Sequence, residues 1–187
     1  MTCIIGLLSP SGTWIGGDSA GVGGLSLVVR KDEKVFFING RFLLGYTSSF
    51  RMGQLLRFGF VPPEQKKKQS DFEYLCTDFI DAVRQRLKTG GYLTIKDNEE
   101  RGGTFLLAYK SGLYEISDNF QVGIPVDPYG ACGCGDEIAL GSLYSTAQDN
   151  DPKRRMLTAL QAAERFSAGV RRPFVIKFLS HKTRRGA

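Results

Sequence analysis

Three residues at equal intervals carry the chemistry this chain could do. Thr2 directly follows the initiator Met1, Asp18 stands sixteen residues further on in Gly16-Gly17-Asp18, and Lys34 sixteen beyond that. Removal of Met1 would leave a hydroxyl nucleophile and a free α-amine on one residue. An N-terminal threonine that uses its own amine as base is a known way to activate a weak hydroxyl. The ordinary pKa of such an amine, roughly 7.7–8.0, lies close to where a general base is most useful. A buried Lys⁺ beside the hydroxyl would favour the alkoxide, and a neighbouring carboxylate would hold that Lys in place. Each residue alone also has an ordinary role: Thr2 as a strand start, Asp18 as a turn residue, Lys34 as a solvated strand end.

Other chemistries fit poorly. The only histidine is His181, in a basic C-terminal stretch, so a Ser–His–Asp or Cys–His arrangement has no well-placed imidazole. The four cysteines, at 3, 76, 132 and 134, include Cys132-Gly-Cys134 but no Cys-x-x-Cys pair. They read as reduced thiols used as small core hydrophobes, with no metal site and no cofactor. The glycines between 21 and 24 match neither a phosphate loop nor a dinucleotide fingerprint and read as a flexible loop.

The elements that must position the three residues begin as β structure. Residues 2–8 and 13–17 read as strands around the turn Ser9-Pro-Ser-Gly12. Residues 25–29 form another apolar run. Residues 34–38 and 41–45 flank Asn39-Gly40, a strong hairpin signal. Gly45 interrupts its strand, which marks a bulge or a close approach to the backbone. Helical periodicity follows in two segments, the second through Phe72, Leu75, Phe79, Val83 and Leu87 up to Gly90-Gly91. A hairpin around Lys110-Ser-Gly112 comes next, then an extended segment at 131–135. Helices at about 137–148 and 152–166 follow, with Pro152 in a first turn, and a strand at 173–179 ends the pattern. This order implies an α+β fold with two sheets stacked between helical layers. Residues 1–180 read as one domain and 181–187 as a basic tail.

The start, Thr2-Cys-Ile-Ile-Gly through Gly16-Gly17-Asp18-Ser-Ala, resembles proteasome β-type subunits. It is still more similar to the related bacterial peptidase that works with a ring ATPase. Counted from Thr2, the spacings to Asp18 and Lys34 match that family without a gap, and Phe42-Leu-Leu-Gly45 matches its next landmark with one residue fewer in the preceding turn. The resemblance implies a four-layer α-β-β-α sandwich of two mostly antiparallel sheets. It also implies a threonine-type N-terminal-nucleophile hydrolase acting on peptides or unfolded protein, a homo-oligomeric ring and an ATPase unfoldase partner. Thr2 would attack, Asp18 and Lys34 would assist, and Gly45 N–H would bind the oxyanion. Cys134, in Gly133-Cys134-Gly135, stands where the family commonly has Ser, and a thiol donates a hydrogen bond poorly. Ser167, in Glu164-Arg-Phe-Ser167, falls near the family's late Asp and Ser. In register together, Thr2, Asp18 and Lys34 favour the catalytic role over their separate ordinary ones.

The 187 residues suffice for a full core, and no apolar run approaches a membrane span. The start has no secretory signal pattern, and a cytoplasmic location is expected. Net charge is +6, concentrated at 66–68, 154–155, 171–172 and 182–185. No aromatic interleaving or known motif accompanies those runs, so they read as solvated surface rather than a nucleic-acid face. Two alternatives stay open: a catalytically degenerate assembly subunit and a basic nucleic-acid-binding protein.

Overall fold

A computed structural model describes residues 1–181. Strands β1 (Ile4–Ser9), β2 (Gly12–Gly17), β3 (Ala20–Gly23), β4 (Ser26–Val29), β5 (Val35–Ile38) and β6 (Phe42–Tyr46) come first. Helix α1 is Phe50–Gly59. Helix α2 runs over 71–89, with a π turn at Leu75–Phe79 between Asp71–Tyr74 and Ile80–Thr89. Then come β7 (Thr94–Lys96), β8 (Glu99–Arg101), β9 (Phe105–Tyr109), β10 (Gly112–Ile116), β11 (Val122–Gly123) and β12 (Tyr129–Cys132). Helices α3 (Asp136–Ser145) and α4 (Pro152–Phe166) precede the final strand β13 (Val175–Ser180).

Two antiparallel sheets form the centre, in the orders β12-β1-β2-β13 and β11-β10-β9-β6-β5. Three apolar layers hold the stack together. Ile4, Ile15, Val35, Leu43, Leu106 and Leu113 fill the space between the sheets. Cys3, Ile5 and Leu7 point the other way, onto Ala139, Leu143 and Leu160 of α3 and α4. Phe36, Leu44 and Leu107 meet Leu56, Phe79 and Val83 of α1 and α2. The result is the expected α-β-β-α sandwich. Strands alternate side chains between faces, so Ile4 and Ile5 belong to different layers. Burying each such side chain contributes roughly 1.5–3 kcal/mol. Among the described residues, no helix is long and apolar enough to cross a membrane.

The local chemistry explains the ends of the elements. Asn39 and Gly40 both take positive φ, 49° and 65°, and Arg41 N–H closes the turn on Ile38 O at 3.2 Å. Ser70 Oγ caps α2 by accepting Glu73 N–H at 3.1 Å. Asp151 caps α4 through the N–H groups of Lys153 and Arg154.

Several expectations need correction. Residues 21–24 belong to a two-stranded ribbon, β3 with β4, rather than a loose loop. Between Gly90-Gly91 and β9, where the sequence predicts no element, the chain folds into the β7–β8 hairpin. His181 is anchored: its N–H reaches Ser11 O at 3.0 Å and its Nε2 lies 2.9 Å from Thr13 Oγ1. Thr13 pairs with Leu8, at the end of the β1–β2 hairpin away from Thr2, so this imidazole cannot serve Thr2. The rest of the expected basic tail, 182–187, lies outside the described residues.

Candidate active site

Thr2 lies two residues before the start of β1, and the sheet register places it near the C-terminal end of β2, where Ile4 pairs with Gly17. Asp18 follows that strand end. Lys34 directly precedes β5, the edge strand of the other sheet. The three side chains therefore meet at one rim of the sheet stack. Thr2 is 4% exposed, Asp18 1% and Lys34 2%.

Lys34 Nζ donates to Thr2 Oγ1 at 2.8 Å and to Asp18 Oδ1 at 2.9 Å. Asp18 in turn accepts backbone N–H groups from Cys3 (3.1 Å), Ala20 (2.7 Å) and Arg171 (3.2 Å). Its carboxylate is thus fully engaged and fixed in orientation. Burial pushes the Lys34 ammonium below the usual lysine range, while the charge and hydrogen bond of Asp18 oppose that push. Such a pair stabilises little by itself, yet removing one partner strands a buried charge.

The nitrogen side of Thr2 has its own surroundings. Thr2 N donates to Cys134 Sγ at 3.3 Å, and that sulfur lies 3.3 Å from Ser167 Oγ. Thr2 O accepts Gly135 N–H at 3.3 Å. Gly133 adopts φ +104°, and a Cβ there would run into the Thr2 carbonyl, so glycine alone fits. With Met1 present, Thr2 Oγ1 donates to Met1 O, and the Met1 side chain packs against Gly169. Of the four free thiols, Cys3 and Cys132 are buried, but Cys76 and Cys134 are exposed. The core-hydrophobe expectation fails for the latter two.

A cavity of about 600 Å³ opens beside Thr2 and Lys34. One wall is the β3–β4 ribbon, through Gly21, Val22 and Val28; another is the turn from β6 into α1. Arg30 forms part of the lining. Its guanidinium holds both oxygens of Asp32 at 2.7 Å and stacks 3.8 Å above the Phe50 ring.

Gly45 keeps its expected place in the strand, but its surroundings speak for packing rather than for the oxyanion role that the resemblance implies. It lies inside β6, opposite Val35 on one side and Leu106 on the other. A strand paired along both edges commits its N–H groups to the ladders. The glycine is required for packing instead: a Cβ would come within 2.6 Å of both Ile4 and Ile15. Three residues later the chain leaves the sheet. Ser48 lines the cavity at φ 72°, and its N–H has no acceptor among the described residues. Only Ser49, the N-cap of α1, could have flagged this turn in the sequence. Among the described residues, no group of three or more His, Cys, Asp or Glu side chains is placed to hold a metal ion.

The arrangement is an α-β-β-α sandwich with a Thr–Lys–Asp cluster at its rim, and known structures share that fold. BPH from Thiobacillus denitrificans, seen in complex with epoxomicin, superposes with a TM-score of 0.79 at 17% identity, covering 97% of this chain and 100% of that one. HslV from Trypanosoma brucei gives 0.68 at 15% identity, over 96% and 99% of the two chains. Anbu, an ancestral beta-subunit from Yersinia bercovieri, gives 0.66 at 15% identity, over 95% and 81%. The likeness to proteasome β-type and HslV-like subunits thus holds for the fold along nearly the whole chain. No protein-family model matches the sequence, and no curated protein does.

Proposed function

We propose that the mature chain is a threonine-type N-terminal-nucleophile hydrolase that cleaves amide bonds in peptides or unfolded protein. The observation that carries this reading is the buried Lys34 ammonium, 2.8 Å from Thr2 Oγ1 and 2.9 Å from Asp18 Oδ1. Met1 is removed first, freeing the amine. That amine takes the hydroxyl proton as Oγ1 attacks the carbonyl carbon, and later delivers it to the leaving amine. Lys34 stabilises the developing alkoxide and Asp18 orients Lys34. Ser48 N–H, in place of Gly45, receives the oxyanion; such a donor is worth about 2.7–4 kcal/mol in the transition state. Cys134 and Ser167 position the amine. Water then releases the acyl group, and no cofactor takes part. Subunits assemble into a homo-oligomeric ring, with an ATPase unfoldase as a candidate partner and the cytoplasm as the location.

Intact-mass analysis after exposure to epoxomicin tests the reading. The expected result is a chain lacking Met1 and carrying one adduct, absent in Thr2→Ala. A processed chain that takes no adduct and hydrolyses no peptide favours the degenerate assembly subunit.

A further inference from the structure

The candidate site has two halves carried by distant parts of the chain. Cys134 faces the nitrogen of Thr2, while Asp18 and Lys34 face its hydroxyl. Residues 167–173, between α4 and β13, touch both. Ser167 Oγ lies 3.3 Å from Cys134 Sγ and donates to Cys134 O at 3.3 Å. Four residues on, Arg171 N–H donates to Asp18 Oδ2 at 3.2 Å, and Arg171 O accepts Ser19 N–H at 2.8 Å. Ser19 Oγ donates to Pro173 O at 2.6 Å.

The next residue is tied back to α4. Glu164 Oε1 accepts Arg172 N–H at 2.8 Å, and Oε2 accepts Arg172 Nε at 2.8 Å and Nη2 at 2.6 Å. The glutamate side chain is only 10% exposed, against 65% for the arginine. Bonds to an ionised acceptor are short and roughly twice as strong as neutral ones. One of them fixes a backbone N–H adjacent to Arg171. The Arg171 bond to Asp18, at 3.2 Å, already stands at the long end of the usual range, so a small shift of the segment breaks it.

We propose that Glu164 is a positioning residue that holds residues 167–173 in place and so keeps the amine half and the lysine half of the site in register, without touching the reacting atoms. Its kinetic consequence rests on the threonine reading above; its structural consequence does not.

Amide hydrogen exchange and epoxomicin inactivation of the Met1-processed protein test this together. In Glu164→Ala, protection of the Arg171 and Ser19 amides falls at least about ten-fold while core amides keep theirs. The inactivation rate constant falls about ten- to a hundred-fold, as expected for a displacement of around an ångström, and the half-saturating epoxomicin concentration stays unchanged. Glu164→Gln keeps an acceptor for Arg172 N–H and recovers most of both. Glu64→Gln, which removes the exposed pair with Arg41, changes neither. Where Glu164→Ala loses protection throughout the chain, Glu164→Asp decides, because it keeps the charge but withdraws it by one methylene; the same selective loss is expected. Unchanged exchange at Arg171 and Ser19 in a folded variant overturns the proposal. Wild-type protein that takes no epoxomicin, with exchange behaving as described, removes the threonine reading and leaves the role of Glu164 standing.

Discussion

Lys34 carries an ammonium group into a nearly water-free corner, and everything asked of it follows from that. Lys34→Met should lower peptide hydrolysis at least about a hundred-fold, the low end for losing a group that stabilises developing charge. Lys34→Arg should not rescue, because the planar guanidinium is wider than the space between Thr2 Oγ1 and Asp18. Asp18→Ala strands the ammonium and should cost about 3–5 kcal/mol in urea unfolding. The pair Asp18→Asn with Lys34→Met removes both charges and should return most of that stability. Activity needs Lys34 protonated, and burial lowers its pKa from the ordinary lysine value of 10.5. The alkaline limb of kcat/KM should therefore lie below 10.5. The folded state binds this proton less tightly than the unfolded chain, so the cost of burying the charge is present below the folded pKa and is relieved as pH rises from there towards 10.5. Lys34 itself thus gives no alkaline unfolding over that window. An alkaline limb at or above 10.5 would exclude Lys34 as the group concerned.

At the scale of elements, the junction of β6 and α1 separates two roles that the sequence had merged. Gly45 is a packing glycine: Gly45→Ala drives a methyl group against Ile4 and Ile15 and should destabilise by about 1–3 kcal/mol. Ser48 is the proposed backbone donor, at a φ that glycine adopts freely. Ser48→Gly should stay within about three-fold of wild-type kcat, because the backbone N–H that stabilises the oxyanion is retained. It does give up the bond in which Ser48 Oγ accepts Thr104 N–H at 3.1 Å. If purified Gly45→Ala melts like wild type yet has lost all turnover, the assignment returns to Gly45.

At the scale of the molecule, apolar side chains remain uncovered on separate elements: Leu25 and Val28 on the β3–β4 ribbon, Phe58 on α1, Phe166 on α4. Each is a large apolar side chain that a subunit contact could bury, and closed symmetry is the usual outcome for soluble homo-oligomers. Light scattering of the Met1-processed protein at near-physiological salt should give a mass several times 20.6 kDa. A monomer mass across micromolar concentrations would leave at most a free-standing hydrolase.

The sequence alone indicated the main elements in their order, though not the β3–β4 ribbon or the β7–β8 hairpin, and it singled out three residues that the fold brings together. Apolar periodicity and turn residues are local properties, and Asn39-Gly40, Ser70 and Pro152 act within a few residues of themselves. Thr2, Asp18 and Lys34 were legible because each stands at a strand end, so that register along two short hairpins sets their spacing. Other features depended on contacts across long stretches of chain. Whether Gly45 serves packing or chemistry turned on Ile4 and Ile15 from another sheet. The placing of Cys134 against Thr2 N needed two segments 132 residues apart to meet. The tie from Glu164 to Arg172 N–H, and from the adjacent Arg171 N–H to Asp18, joins a helix, a loop and a strand end, and no local pattern encodes it. Tertiary structure decided these because a side chain's burial, and the partner it finds there, are set by which surfaces pack together.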